Sequence, residues 1–119
     1  MRDKNYRKGA DFERKIKNKL ESAGYFVIRS AGSKGPADLV AWDSNSRDES
    51  PYFFQCKTGE EGITKAEVEK LAPLSQFGST YFAYSDHGQI RVKYLSYSGD
   101  LEKDDYSFTE WFLDKDADL

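Results

Sequence analysis

Three short runs rich in aromatic and aliphatic residues come one after another with only turn-forming stretches between them: Tyr25–Ser30 (YFVIRS), Ala37–Asp43 (ADLVAWD) and Tyr52–Thr58 (YFFQCKT). The glycine-rich AGSKGP and the polar DSNSRDESP that separate them have turn chemistry. A parallel neighbour would need a crossover of roughly a dozen residues or more, usually a helix. Neither connection reads as one, so the three runs are expected to form an antiparallel meander.

Helical patterns flank this meander. In ADFERKIKNKLESAG, Phe12, Ile16 and Leu20 recur every four residues and Ala23 comes next, which places one apolar stripe along a helix. Gly24 ends that helix as a left-handed cap. After GEEGI, Thr64 and Glu67 have the spacing of a capping box, in which each side chain satisfies a free backbone donor of the other residue. The helix they start is expected to run to about Phe77, with Pro73 kinking it or ending it early. TYFAYS and QIRVKYLSY read as two more strands joined at Asp86-His87-Gly88, and FTEWFLDK as a short helix laying Trp111 and Phe112 on the body. The order is helix, three strands, helix, two strands. It describes a mixed α/β domain, one sheet with helices packed against it, and a single domain over residues 1–119.

Charge is unevenly spread. Residues 1–40 hold ten Lys/Arg against five Asp/Glu, whereas residues 96–119 hold two against eight, although the net charge is only −3. A basic N-terminal third can hold phosphates while an acidic segment, about 96–119, sits elsewhere, so the overall sign does not exclude DNA. The alternative is a solvated helix face. No apolar run approaches the roughly 20 residues needed to cross a bilayer, so no membrane partner is expected. The basic N-terminus lacks the apolar stretch of a secretory signal. The single Cys56 can form no internal disulfide, which suits a reducing compartment; the expected location is cytoplasmic.

The chemistry-bearing residues gather on the strands. Alternate side chains of a strand share a face, so Gln55 and Lys57 project one way while Phe54 and Cys56 project the other. Asp38 opens the neighbouring strand just after Gly35-Pro36-Ala37, where its carboxylate can converge on the same spot. A carboxylate, a second oxygen ligand and water oxygens suit Mg2+, with Mn2+ as a substitute. Lys57 beside them can position or deprotonate a water or stabilise charge on a phosphate. Taken singly, Asp38 caps a turn and Lys57 is an edge-strand lysine, and so short a pattern recurs by chance. Cys56, facing away, reads as a small buried hydrophobe. His87 reads as a surface histidine. Glu13 forms an ordinary i,i+4 pair with Lys17, yet it borders the buried stripe and can lean over the sheet toward Asp38.

The segment RKGADFER…GYFVIRSAGSKGPADLVAWD…YFFQCKTG resembles the archaeal Holliday junction resolvases, small dimeric members of the restriction-endonuclease-like nuclease superfamily. The likeness runs from about Arg7 to Thr58, and beyond that only the element pattern agrees. It implies a restriction-endonuclease-like fold with an αβββαβ core, a mixed central sheet flanked by helices. The family motif has an acidic residue on the first helix, an aspartate opening the second strand and Glu-x-Lys on the third; by position these are Glu13, Asp38, Gln55 and Lys57. The resemblance implies catalysis by these four, with Asp38, Gln55 and Glu13 as metal ligands. It further implies DNA contacts by Arg14 and Arg29, with the basic Arg7 and Lys8 beside them, and by Ser30, Ser33 and Lys34 in a loop near the cleaved phosphate.

One departure from the pattern bears on function: Gln55 stands where the resolvases have glutamate. Glutamine keeps a carbonyl oxygen for a metal but loses a full charge, so metal affinity should fall. The Mrr-like restriction endonucleases, another branch of the superfamily, tolerate glutamine at this place, and the chain resembles them too. The expected function is Mg2+-dependent hydrolysis of phosphodiesters in four-way junctions. The alternatives are an Mrr-like or nicking endonuclease of other specificity acting on duplex DNA, and a non-catalytic DNA-binding descendant. Cutting a four-way junction on two strands symmetrically calls for a homodimer. Leu71, Leu74, Phe77 and the aromatic-rich strands after them are the candidates for its interface, unless they are core.

Overall fold

A computed structural model describes residues 3–30, 36–45, 49–58, 63–97 and 106–111, and the side chains among them from residue 9 onward. Helix α1 (Asp3–Ser22) leads into β1 (Tyr25–Arg29), β2 (Leu39–Asp43) and β3 (Tyr52–Lys57). Helix α2 (Lys65–Leu71) continues as a 3-10 turn (Ala72–Gln76), and then come β4 (Ser79–Asp86), β5 (Gln89–Tyr97) and β6 (Tyr106–Trp111). The six strands form one sheet in sequential order. β1, β2 and β3 are antiparallel neighbours, as the short connections require. β3 and β4 run parallel, with α2 in the connection between them, and the later pairs are antiparallel.

The sheet separates two cores. On one face Ile16 and Leu20 of α1 lie over Val27, Leu39, Ala41, Phe54, Tyr81 and Val92. On the other, Val68 and Leu71 of α2 lie over Ala37, Phe82 and Leu95. The strand period decides which residue joins which: Tyr52, Phe54 and Cys56 go to the α1 side, while Phe53 goes to the α2 side. Removing apolar area from water at about 25 cal/mol per Å2 is what holds each helix to the sheet.

Local chemistry sets the boundaries. Gly24, at φ +97, turns the chain from α1 into β1 in the left-handed region. The Thr64 side chain accepts from the Glu67 N–H, completing the capping box that starts α2. Pro73 falls at the start of the 3-10 turn, so the α-helix ends at Leu71 and not near Phe77. Gly78 is required by a close approach: a Cβ there would lie 2.0 Å from the Pro51 carbonyl oxygen. That carbonyl accepts from Ser79 N at 3.0 Å and sets where β4 begins to pair with β3.

The C-terminal expectation needs correction. Residues 106–111 form a strand on the edge of β5, not the start of a helix. Their alternation sends Tyr106 and Phe108 to the α2 side and Trp111 to the α1 side, where its ring lies 4.8 Å from Tyr81 and 5.9 Å from Phe54. The open hydrogen-bonding edge of β5 recruits the segment, and period-2 aromatic burial rewards it. Phe112 and most of the acidic segment lie outside the described residues. Among the described residues no helix is long and apolar enough to cross a membrane.

Candidate active site

β2 pairs with β3 only as far as Leu39↔Phe54, whereas β3 runs on to Lys57. The Cys56 N–H on that edge therefore has no backbone partner from β2. Asp38 supplies one from its side chain: its own N–H donates to the Phe54 carbonyl at 2.8 Å, and its Oδ2 accepts from Cys56 N at 2.9 Å. Its carbonyl accepts from Ser30 N at 2.8 Å, so it is held both from β3 and from the end of β1. Asp38 is 2 % exposed. A carboxylate so deeply placed is unfavourable unless it is hydrogen-bonded or faces a cation.

The two Asp38 bonds bracket Gln55. Its Oε1 is buried and has no hydrogen-bond partner among the described residues. Leaving such an acceptor without a partner costs about 1–3 kcal/mol. A buried carboxylate beside an unsatisfied carbonyl oxygen is a donor set that a hard divalent cation satisfies. Among the described residues no three of His, Cys, Asp and Glu gather to hold a metal, so such a site would rest on one carboxylate and one amide.

Lys57, on the same β3 face as Gln55, reaches α2. Its Nζ donates to Glu67 Oε1 at 2.9 Å. The same oxygen accepts from Thr64 N at 2.8 Å and from Thr64 Oγ1 at 3.1 Å. Partial burial pushes the Glu67 carboxyl up, but the Thr64 backbone N–H, the Lys57 ammonium and the Thr64 hydroxyl together outweigh it and hold the group below its ordinary value. Sequence reasoning placed Glu67 only in the cap. Its spacing from Thr64 was legible, but nothing local signals that the cap faces Lys57.

Glu13 lies on the α1 side, 6 % exposed, and its Oε1 accepts from Arg29 Nε at 2.9 Å. Lys17, the i,i+4 neighbour of Glu13, pairs one turn on with Glu21 at 2.8 Å. Burial pushes the Cys56 thiol well up, and the charges of Asp38 and Glu13 push the same way against Arg29. Glu13 stands on the α1 side of the sheet, and Gln55 and Lys57 on the α2 side.

The expected DNA contacts divide. Arg14 is exposed and meets Asp11 at 3.4 Å, while Arg29 is held by Glu13. Ser30 is half-buried at the end of β1. Arg7 and Lys8 belong to α1 by backbone, but their side chains lie outside the described residues, as do Ser33 and Lys34. His87 is on the surface in a left-handed turn, its ring against Asp86.

The family model described as archaeal Holliday junction resolvase (Hjc) matches residues 4–107, most of the chain. The chain belongs to that family. It is 43% identical over 95 residues to the crossover junction endodeoxyribonuclease Hjc of Methanocaldococcus jannaschii, covering 76% of this chain and 67% of that one. The solved structure of Archaeoglobus fulgidus Hjc, a Holliday junction resolvase, matches with a TM-score of 0.55 and 26% identity. That match covers 69% of this chain and 72% of the other. The fold is therefore the restriction-endonuclease-like one of the Hjc resolvases, with β5 and β6 extending the sheet beyond β4.

Proposed function

We propose that this chain is a divalent-metal-dependent endonuclease that hydrolyses phosphodiester bonds in four-way DNA junctions. The observation that carries this reading is the buried Asp38 carboxylate bracketing an unsatisfied Gln55 carbonyl, with the Lys57 ammonium on the same strand face. Asp38 and Gln55 would hold Mg2+, or Mn2+ in its place; Glu13, expected as a third ligand, is instead engaged by Arg29 on the α1 side of the sheet. A divalent ion there would supply Lewis-acid neutralisation of the phosphate and a more acidic water. Lys57 orients the attacking water or stabilises charge growing on the phosphate. Asp38 is hydrogen-bonded to β3 on either side of Gln55, so its carboxylate is positioned before DNA arrives.

DNA would be held through its phosphates by Arg14 and the basic start of α1, with Ser30, Ser33 and Lys34 near the cleaved bond, while Arg29, also expected there, is committed to Glu13. Such contacts read backbone geometry and are strongly salt-dependent. No base-reading element is evident in the sequence, which favours recognition of DNA shape. The two-strand cut supports a homodimer. Leu71 is fully buried in its own chain and is no longer an interface candidate, while Phe77 (64 % exposed), Phe26 (61 %) and Ile28 (50 %) are apolar and open. We infer an intracellular protein, since the proposed substrate is intracellular DNA.

The test is cleavage of labelled four-way junction, duplex and single-stranded DNA with Mg2+ or Mn2+. Paired symmetric cuts in the junction alone are expected, with loss of cutting but not of binding in Lys57→Ala and Asp38→Asn. General cutting of duplex would favour an Mrr-like or nicking enzyme, a reading Gln55 supports. Binding without cleavage under either metal would leave a non-catalytic DNA-binding module, and unchanged cleavage in both variants would show that the site is elsewhere.

A further inference from the structure

In a Glu-x-Lys strand the two charges of the motif are opposite in sign and share one face. In this chain the same face carries the neutral Gln55 and the charged Lys57, so β3 itself offers the ammonium no carboxylate two residues away. The structure supplies one from another element: Glu67 Oε1 lies 2.9 Å from Lys57 Nζ, with both side chains mostly withdrawn from solvent. Glu67 is not free to wander, because Thr64 N and Thr64 Oγ1 bind the same oxygen at the start of α2. Lys57 is thereby tied to the helix that joins β3 to β4.

We propose that Glu67 is a positioning residue that takes over the charge missing at Gln55: it fixes the Lys57 ammonium from α2 and restores the site to one net negative charge. With Asp38, Gln55 and Lys57 alone the formal sum is neutral. Glu67 returns it to the value that an Asp, Glu and Lys set would have, which is what a divalent cation and a nearby cationic lysine need to coexist. Two functions meet in one carboxylate, since the interaction that caps α2 also holds the lysine. The inference rests on the nuclease reading of the Asp38–Gln55–Lys57 site.

The experiment is a double-substitution cycle with Glu67→Gln, Gln55→Glu and both together. Glu67→Gln keeps an oxygen for the cap and removes the charge. Single-turnover junction cleavage is expected to fall by about 10–100-fold in Glu67→Gln, the usual cost of losing a group that orients an active-site residue. It should return to within a few fold of wild type in the double variant, where the carboxylate introduced by Gln55→Glu comes from β3. A second readout needs neither metal nor DNA: the rate at which an acylating reagent modifies Lys57, followed by mass spectrometry. Acylation should quicken in Glu67→Gln and slow again in the double variant.

An equal loss of rate in both backgrounds, or acylation unaffected by Gln55→Glu, would mean that Glu67 serves the cap alone, and the proposal would fall. No loss in Glu67→Gln would overturn it too. Lys57→Ala in the same assay separates failure of the site from failure of the Glu67 role. If Lys57→Ala still cuts the junction, the nuclease site itself is misassigned; if it does not cut while Glu67→Gln cuts at full rate, only the role of Glu67 is wrong.

Discussion

Replacing Gln55 by glutamate puts a second carboxylate beside Asp38, at a position whose carbonyl oxygen is already buried without a partner among the described residues. Two unit charges about 5 Å apart at an effective dielectric near 20 repel by roughly 3 kcal/mol. Lys57 stands on the same strand face and offsets part of this, though its ammonium is already engaged by Glu67. The result is a net destabilisation of about 1–2 kcal/mol in the metal-free protein. For a chain of 119 residues, 1 kcal/mol corresponds to about 4 °C in Tm, so melting in EDTA should fall by about 4–8 °C. Metal reverses the sign. An ion that binds the folded state at one hundred times its Kd adds about 2.7 kcal/mol, or about 11 °C, and the variant should respond at lower Mg2+ than wild type. Scanning calorimetry across a Mg2+ series, with junction cleavage in parallel, measures both effects, and cleavage should equal or exceed wild type. A variant that melts like wild type in EDTA and gains nothing from Mg2+ would refute the placing of Gln55 at a cation site.

Three further outcomes are expected. Gly78→Ala drives a Cβ into the Pro51 carbonyl, which backbone must yield to accommodate, and should cost about 1–3 kcal/mol by chemical denaturation; an unchanged midpoint would show that the β3–β4 start is not so tightly set. Arg29→Ala leaves Glu13 without its guanidinium partner in a largely buried place and should cost about 3 kcal/mol, whereas Glu13→Gln with Arg29→Ala should recover part of it. The Glu67 carboxyl is held below its ordinary value in the folded state, so its contribution to stability is present above the unfolded value and is lost as pH falls through the folded one. Glu67 keeps about a quarter of its side chain in solvent, which screens the pair and limits the effect to less than about 1 kcal/mol; it is read as a stability difference between wild type and Glu67→Gln that closes toward acid pH.

Several elements were legible because their signals are local. The stripe Phe12, Ile16 and Leu20 needs only helical periodicity, the Thr64–Glu67 cap needs three residues of spacing, and the antiparallel order of β1, β2 and β3 comes from connections too short for a crossover. Strand alternation separated Phe54 and Cys56 from Gln55 and Lys57 correctly. The readings that failed or were left open depend on neighbours distant in sequence. Residues 106–111 join a sheet because β5 leaves an edge to pair with, which the segment's own composition does not announce. Glu13 takes Arg29, sixteen residues away, although Lys17 stands at ideal helical spacing. Leu71 and Phe77, alike in character, divide into core and surface because the α-helix stops at Leu71 and the 3-10 turn rotates the residues after it.

The same division runs through the site. Asp38, Gln55 and Lys57 were candidates from the sequence because a strand turns spacing into a shared face. Their electrostatic setting could not be named. That Asp38 replaces a missing ladder bond to Cys56, that Gln55 ends with a buried unsatisfied oxygen, and that the partner of Lys57 comes from the cap of α2 are all products of how the sheet and helices meet. Residue type and periodicity carry local conformation, whereas burial and charge pairing exist only once separate segments are packed together.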